Sequence, residues 1–397
     1  MTGHGDMLLS RRKRAKTKML AKYRFPWRSG NRFALLVDGP EFFAKMLQAI
    51  DGAKRYILLE IYLFESGSVA KRFIDALADA VRRGIRVHVL LDDFGARGFS
   101  RYDRERLRKS GVNLAFYNPL YFGKLLQNLA RDHRKLLVID GETAFVGGAG
   151  IADEFDPPDA PERRWRETMV EIHGPVIGDW QELFVESWQR YTGEGLELAA
   201  PAPGPPADGI LGRVTVMRGI SQQGIKRDLL KHIKMAERRI WLATAYFVPS
   251  RRILRALRRA ARRGVDVRLL VPGPYTDHPA VRIAGRRFYA SLLASGVHVF
   301  EYQPRVLHTK MSLCDGWVSI GSSNLDRWNL RWNLEANQAV EGQDFSERAR
   351  AVLEADFLES IECHYEDWMH RPLRARIGER LWGLVDRSLN GVGRGRL

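Results

Sequence analysis

One short sequence pattern occurs twice in this chain, and it restricts the possible fold more than any other feature. Each copy has a histidine, a lysine two positions later, an aspartate five positions after the lysine, and a glycine-rich continuation. In the first copy these are His133, Lys135, Asp140 and Gly147-Gly148; in the second they are His308, Lys310, Asp315 and Gly321-Ser322-Ser323-Asn324. Polar and apolar residues alternate through each copy up to an Asp-Gly pair, which predicts a strand entering a tight turn.

On a strand, a histidine and a lysine two positions apart project from the same face. A lysine supplies a positive point charge, and a histidine attacks phosphorus or carries a proton, so this pair suits a phosphate site. A single such pair would usually be no more than a solvated strand face. Two copies with the same spacing argue against that interpretation and favour one shared phosphate site.

The duplicated motif resembles that of the phospholipase D superfamily. The longer second signature, which runs from His308 through residues 321–326 to 333–337, resembles the bacterial cardiolipin synthase branch. The resemblance extends from about Asn31 to about Cys363. It implies an α/β fold of two homologous phospholipase D-like α/β/α sandwich domains in one chain, related by a pseudo-twofold axis, with the active site at their interface.

The remaining pattern agrees with an internal duplication. Periodicity predicts strands over 33–37, 56–64 and 85–91 and helices over 41–54 and 68–83. Residues 240–248 repeat the pattern of 57–64, and residues 261–265 match 81–85 at an offset of 180. We therefore predict a basic N-terminal segment (1–30), a first domain (31–198), a proline-rich linker (199–209), a second domain (210–370) and a basic amphipathic C-terminal segment (371–397).

The resemblance also assigns roles to the motif residues. One histidine attacks phosphorus to form a phosphohistidine and the other protonates the leaving alcohol; we expect His133 to be the nucleophile, although the pseudo-symmetry leaves the opposite assignment open. The groups expected to hold the phosphoryl oxygens are Lys135, Lys310, Gly148, Ser322 and Asn324. A carboxylate should orient each histidine, and we assign Glu167 to His133 and Glu335 to His308.

The aspartates of the two motifs have a different expected role. Asp140 and Asp315 stand at Asp-Gly turns, so we expect them to be structural partners of basic groups and not proton carriers. Two lysines already supply positive charge, so the reaction is expected to need no metal and no cofactor. The chain departs from the family pattern at Gly150, which stands where an asparagine is expected after the first Gly-Gly pair.

The formal net charge of +17 predicts an anionic partner, which is either nucleic acid or an acidic lipid surface. No stretch is long and apolar enough to predict a transmembrane helix or a signal peptide. The two cysteines, Cys314 and Cys363, give no disulfide framework and no metal-ligand spacing. Seven arginines between 251 and 263 lie on one predicted helix, as a solvated face or a lipid-headgroup contact.

Taken with the resemblance, these features predict a phosphatidyltransferase that makes cardiolipin from two phosphatidylglycerol molecules and releases glycerol. It would lie peripherally on the cytoplasmic side of the cell membrane, with anionic phospholipid as its substrate and no nucleic-acid partner. The aromatic segment 114–122 is interpreted as a loop that either enters the lipid interface or covers the site entrance. The alternatives are a phospholipase D-type phosphodiesterase or nuclease, and a membrane-binding protein without activity.

Overall fold

The strands of the two motifs lie in one continuous 16-stranded sheet that runs through both halves of the molecule. The computed structural model describes residues 25–121, 123, 128–198, 209–219, 222–326 and 333–372. The predicted linker, apart from Gly209, therefore lies outside the described residues, as do most of the two basic terminal segments. Within the described ranges, no helix is both long enough and apolar enough to cross a membrane.

The first half alternates strands and helices as the periodicity predicts. Its elements are β1 (Arg28–Val37), α1 (Asp38–Asp51), β2 (Tyr56–Ile61), α2 (Ser68–Arg82), β3 (Arg86–Asp92), α3 (Arg101–Lys109), β4 (Asn113–Tyr117), β5 (Lys135–Ile139), β6 (Thr143–Gly147), β7 (Thr168–His173) and α4 (Ile177–Thr192). The strands are ordered β1-β7-β6-β5-β2-β3-β4. Strands β2, β3 and β4 are parallel, and the others are antiparallel to their neighbours.

The second half repeats this order and adds several short elements. They are β8 (Ile210–Arg218), β9 (Gln222–Gln223), α5 (Gly224–Met235), β10 (Arg239–Ala243), β11 (Phe247–Val248), α6 (Arg251–Arg262), β12 (Asp266–Pro272), α7 (Pro279–Arg286), α8 (Tyr289–Leu293), β13 (His298–Tyr302), β14 (Met311–Cys314), β15 (Trp317–Gly321), β16 (Leu325–Asp326), β17 (Leu334–Glu341), α9 (Gln343–Leu358), β18 (Ser360–Cys363) and α10 (Tyr365–Met369). The order β8-β17-β15-β14-β10-β12-β13 matches that of the first half strand for strand.

The two half-sheets join where β1 pairs antiparallel with β8. Helices α4 and α9 pack on one side of the joined sheet, and their apolar faces share a core with strands of both halves. On the other side, α1 and α2 cover the first half, and α5 and α6 cover the second. The predicted pair of α/β/α sandwiches is confirmed. The shared core and the joined sheet hold the two H-x-K strands in a fixed relation.

Residues 114–117 of the aromatic segment 114–122 lie in a strand and not in the predicted loop, and Phe122 lies outside the described residues. Residues 113–117 form β4, the edge strand, which pairs in parallel with β3. Leu114 and Phe116 pack toward the core beneath α1 and α2, while Ala115 and Tyr117 pack toward the shared core. This two-residue alternation is typical of a strand with both faces covered. The aromatic content reflects that packing, and Tyr121, beyond the strand, is the exposed part.

Candidate active site

The two motif histidines lie just before strands β5 and β14, and the backbone of the opposite half holds each one. The His133 N–H donates to the Leu334 carbonyl at 2.9 Å, and the His308 N–H donates to the Arg166 carbonyl at 2.8 Å. Leu334 and Arg166 each directly precede a glutamate, Glu335 or Glu167. These short bridges between the halves therefore bring each histidine beside the glutamate of the other half.

The carboxylate partners are consequently crossed between the halves. His133 Nδ1 lies 3.1 Å from Glu335 Oε2 and 3.0 Å from Glu335 Oε1. His308 Nδ1 lies 2.6 Å from Glu167 Oε2. The prediction that Glu167 serves His133 and Glu335 serves His308 is wrong, because the strand bridges join each histidine to the opposite half. With Nδ1 engaged by a carboxylate, Nε2 is the ring nitrogen left to react.

Both lysines are buried beside their histidines. Lys135 Nζ donates to the His133 carbonyl at 2.7 Å and lies 5.0 Å above the centre of the Tyr62 ring. Lys310 Nζ donates to the His308 carbonyl, lies 3.2 Å from Glu167 Oε2 and lies 2.8 Å from His308 Nδ1. The predicted sharing of one face by histidine and lysine is confirmed in both halves.

The glycine-rich continuations differ in how they complete the site. Ser322 Oγ donates to Glu335 Oε2 at 2.5 Å, and the same hydroxyl accepts the Ala336 N–H at 3.1 Å. A methyl group built on Gly148, the matching position of the first half, would collide with the Glu167 carboxylate and lie 2.8 Å from Lys310 Nζ. Because Gly148 has no side chain, there is room beside it for the Glu167 carboxylate and Lys310 Nζ. Ser322, at the matching position, makes its hydrogen bonds to residues of its own half.

Asn324 is fully buried next to this cluster. Neither its side-chain nitrogen nor its side-chain oxygen has a hydrogen-bond partner among the described residues. Buried amides are normally satisfied, and one without a protein partner often serves a ligand or a bound water. This agrees with the expectation that Asn324 faces a phosphoryl oxygen, which stays a prediction.

Burial shifts the pKa values of the reacting groups in a consistent pattern. It lowers the pKa of Lys135 to about 7, and together with the Lys310 charge it lowers that of His308 to about 4. Burial and the charges of both lysines hold the pKa of His133 well below its usual range. Without a substrate, both imidazoles are therefore neutral at pH 7, as attack on phosphorus requires.

The two glutamates differ from each other. Burial raises the pKa of Glu335 to about 8, and Lys135 only partly offsets this effect. Burial also opposes ionisation of Glu167, but the nearby Lys310 and His308 outweigh it and lower its pKa. The His308 pair thus contains the carboxylate that stays ionised near neutral pH, and an ionised carboxylate stabilises a protonated imidazole.

The duplicated geometry agrees with comparisons to known proteins. The family described as "Cardiolipin synthase, PLD-like domain" matches residues 46–188 and again 229–357. Cardiolipin synthase A of Pseudomonas aeruginosa is 34% identical over 368 residues, which cover 91% of this chain and 74% of that protein. The chain belongs to the cardiolipin synthase family of the phospholipase D superfamily.

Other relatives agree with this membership. Cardiolipin synthase B of Escherichia coli (strain K12) is 33% identical and covers 88% of this chain and 85% of its own. Among solved structures, a phosphatidylserine synthase from Haemophilus influenzae superposes with a TM-score of 0.69 at 13% identity, over 96% of this chain and 97% of that one. A polyphosphate kinase from Porphyromonas gingivalis gives 0.57 at 17% identity, over 92% and 54%. At these identities the two structures show a shared fold.

The position that departs from the cardiolipin synthase pattern has a steric explanation. A Cβ on Gly150 would lie 2.7 Å from both Leu63 Cβ and the Leu63 carbonyl oxygen. The backbone after β2 therefore passes too close for an asparagine at this position. In the second half, Asn324 occupies the matching site, so the amide comes from one half only.

The carboxylates of the two motif aspartates accept hydrogen bonds from backbone N–H groups, and the expectation that they carry no proton stays a prediction. Asp140 accepts the backbone N–H groups of Lys54, Arg55 and Tyr56 at 2.7 to 2.9 Å. Asp315 accepts those of residues 237, 238 and 239 at 2.8 to 3.2 Å. Each carboxylate thus fixes the chain where it enters β2 or β10. The prediction that the two aspartates bind basic side chains is wrong, because the groups that donate to their carboxylates are backbone N–H groups.

Several residues of this family member's site were missed by the sequence analysis. The Tyr62 ring packs edge-on against His133, with ring centres 4.7 Å apart, and Trp165 lies 5.2 Å from His308. Arg166 forms a buried ion pair with Asp356, at 2.7 Å from Nε to Oδ1, that connects the halves. Tyr62 recurs as Tyr246 in the repeat, and this recurrence could have identified Tyr62 as a site residue from the sequence. The Arg166–Asp356 pair had none, because 190 positions separate its members.

Proposed function

We propose that the enzyme is a phosphatidyltransferase that makes cardiolipin from two phosphatidylglycerol molecules. The observation that carries this proposal is the pair of crossed histidine–carboxylate contacts, each with a lysine beside it. Two histidines whose Nδ1 atoms face carboxylates, so that Nε2 is the atom left to react, suit a reaction in two displacement steps. The family membership supplies the class of phosphoryl compound, since the curated relatives are named cardiolipin synthases.

In the first step, His133 Nε2 attacks the phosphorus of one phosphatidylglycerol. A bond forms between nitrogen and phosphorus, the bond from phosphorus to the headgroup glycerol breaks, and protonated His308 gives its proton to the departing oxygen. The anionic phosphate raises the pKa of His308 as it binds, and the ionised Glu167 stabilises the resulting imidazolium. Lys135, Lys310, Ser322 and Asn324 surround the phosphoryl oxygens in this proposal.

In the second step, neutral His308 takes a proton from a hydroxyl of the second phosphatidylglycerol. That oxygen attacks phosphorus, and the bond to His133 breaks. The products are cardiolipin and one glycerol. The pKa values of both histidines are lowered, so the assignment of His133 as nucleophile rests on the different glutamates that the two histidines contact. His308, beside the ionised glutamate, suits the proton carrier.

The activity is tested by incubating the purified protein with phosphatidylglycerol vesicles and identifying the products by mass spectrometry. We expect cardiolipin and free glycerol in equal amounts. Phosphatidic acid as the only lipid product would make the enzyme a hydrolase. No lipid product, together with cleavage of single-stranded DNA in a parallel reaction, would make it a nuclease of the superfamily.

The nucleophile is tested with a nitrophenyl phosphodiester, because nitrophenolate leaves without general-acid assistance. The His308→Ala variant should release one equivalent of nitrophenol in a burst and remain phosphorylated on His133. The His133→Ala variant should give no burst. A burst from His133→Ala and none from His308→Ala would exchange the two roles.

We further propose that the protein works on the cytoplasmic side of the cell membrane, bound to its surface. The net charge of +17 supports an anionic surface, and the lipid substrate requires contact with one.

A further inference from the structure

The two halves of the molecule differ strongly in the charge of one pair of matching helices. Helix α2 of the first half carries Lys71, Arg72 and Arg82 together with two acids, Asp75 and Asp79. Its counterpart α6 carries six arginines within Arg251–Arg262, with Arg263 directly after it, and no acid. Both helices occupy the same place in the repeated fold, so the fold itself does not explain why α6 carries more arginines than α2.

The charges of α2 are largely neutralised within the protein. Lys71 pairs with Asp75 at 2.9 Å, Arg72 with Asp156 at 2.6 Å, and Arg82 with Asp79. By contrast, none of the seven arginines between 251 and 263 forms an ion pair with a carboxylate anywhere in the described ranges. Arg255 and Arg263 donate hydrogen bonds to backbone carbonyls, and Arg258 and Arg262 donate to Ser295 Oγ.

The arginines of α6 are not needed for packing. The buried face of the helix consists of Ile253, Ala256, Leu257 and Ala260, which join the core of the second half. Arg251, Arg255, Arg259 and Arg263 follow one another at intervals of four, where like charges repel and destabilise a helix. A surface that keeps such repulsion without nearby acids is expected to meet an external anion.

Part of this surface is a groove between α5 and α6. It holds about 800 Å³ of space open to solvent and is lined by Leu230, Lys234, Arg252, Arg255, Ala256, Arg259 and Arg263. From Arg252 to Arg263 the row of arginines extends along roughly 16 Å of helix. The groove thus combines five cations with the apolar side chains of Leu230 and Ala256.

The groove lies outside the second half-site. The inner sides of the same two helices, at Ile225, Leu229 and Ile253, line a small cavity that reaches Lys310. One layer of helices therefore separates the groove from the reacting groups, so its charges are not part of the catalytic centre.

We propose that this α5–α6 groove binds the headgroups of anionic phospholipids and docks the second half of the enzyme on the membrane surface. This inference rests on the proposed function, which requires a lipid surface. The exposed cations of the groove are complementary to the phosphates of an anionic bilayer surface, where each nearby basic residue strengthens binding. Nucleic acid, the other polyanion, is better served by interleaved aromatic side chains on which bases stack, and none lines the groove.

The test compares three full-length proteins: wild type, a groove variant (Arg252→Gln, Arg255→Gln, Arg259→Gln) and a matched control (Lys71→Gln, Arg82→Gln, Lys109→Gln). The control also removes three positive charges, but from exposed positions of α2 and α3. Binding is measured by co-sedimentation with phosphatidylcholine vesicles with and without phosphatidylglycerol. Each basic residue near an anionic surface strengthens binding by about fivefold, so the groove variant should bind the anionic vesicles on the order of 100-fold more weakly. The control should stay close to wild type.

Turnover of phosphatidylglycerol in neutral-detergent micelles is measured in parallel, and kcat should be the same in all three proteins. Equal vesicle binding by the groove variant and the control would overturn the inference. Loss of single-stranded DNA binding with unchanged vesicle binding would assign the groove to nucleic acid and overturn it as well. A wild type that makes no cardiolipin, while the difference in vesicle binding persists, would refute the proposed function and leave the groove assignment standing.

Discussion

The crossing of the histidine–glutamate pairs gives each glutamate a kinetic role that can be tested. Glu335 contacts His133 Nδ1 and Glu167 contacts His308 Nδ1, and we propose that each glutamate orients the histidine it contacts. With the nitrophenyl phosphodiester, Glu335→Gln should therefore impair the same step that His133→Ala abolishes, and slow the burst by about 100-fold. Glu167→Gln should behave like His308→Ala, keeping the burst and slowing the second step.

This comparison does not depend on which histidine is the nucleophile. It asks only whether each glutamate variant has the same kinetic defect as the variant of the histidine that the glutamate contacts. The histidine variants are its internal controls. If Glu167→Gln resembled His133→Ala in burst and in steady state, the crossed pairing would be wrong.

The low pKa of Lys135 predicts a pH dependence near neutrality. Its pKa is lowered by burial to about 7 from the ordinary 10.5, so the free enzyme holds this charge below about pH 7 and loses it above. Since the charge attracts the phosphate, kcat/KM should fall as pH rises through about 7. The dependence is measured from about pH 6 to about pH 9 with micellar phosphatidylglycerol.

Lys135→Arg is the matching control for this profile. A guanidinium does not titrate in that range, so whatever activity the variant keeps should lack the same alkaline decline. A wild-type kcat/KM that stays level up to about pH 9 would contradict the assignment of Lys135 as a phosphate-binding cation that titrates near neutrality.

At the scale of elements, the two Asp-Gly turns serve to fix the entry of a neighbouring strand. Asp140 and Asp315 have positive φ angles of 56° and 49°, which place their carboxylates toward the start of β2 and β10. Asp140→Ala would leave three backbone N–H groups without their acceptor. We expect a loss of about 2–4 kcal/mol in the free energy of unfolding, measured by urea denaturation.

Activity per folded molecule should remain in Asp140→Ala, because the carboxylate contacts no reacting group. Asp79→Ala, which removes an exposed partner of Arg82, is the control and should change stability by less than about 1 kcal/mol. An Asp140→Ala protein with normal stability and no activity would instead place this aspartate in the chemistry.

The elements also show how much the sequence could predict. The pattern around His133 and His308 predicted the two strands and their turns, because strand alternation and Asp-Gly chemistry are local. The site at the interface of the halves was implied by the resemblance to the phospholipase D superfamily together with the repeat. The partners of the histidines depended on contacts between residues 141 and 202 positions apart. Proximity along the chain favoured Glu167 for His133, and no local pattern opposed it. Likewise, Phe116 belongs to an edge strand for reasons of packing that its aromatic character alone does not reveal.

At the scale of the whole molecule, a duplicated fold has acquired two unequal half-sites. The first half contributes Gly148 and Gly150 where the second contributes Ser322 and Asn324. The pKa of Glu335 is raised while that of Glu167 is lowered. Such inequality suits a reaction in which one histidine attacks and the other carries the proton. It depends on the two halves being held in one fixed arrangement.

The buried Arg166–Asp356 pair is one contact that maintains this arrangement, since Arg166 belongs to the first half and Asp356 to α9 of the second. Two hydrogen bonds of 2.7 and 3.0 Å join them. The Arg166 carbonyl in turn accepts the N–H of His308. Asp356→Ala would leave the buried guanidinium with the more distant Asp38 carboxylate, 3.6 Å from its Nη1, so we expect a loss of about 3 kcal/mol of stability, the lower end for a broken buried ion pair.

Asp356→Ala should therefore lower both the free energy of unfolding and kcat, because His308 loses part of its support. Glu354→Ala is the control on the same helix: this glutamate is 42% exposed, pairs with Arg350 and should contribute less than about 1 kcal/mol. The two variants are compared by urea denaturation and by turnover at a temperature where both are folded. Equal stability and equal turnover would show that the Arg166–Asp356 contact does not hold the halves in register, and that the other contacts between the halves, such as the β1–β8 pairing and the shared core, are sufficient.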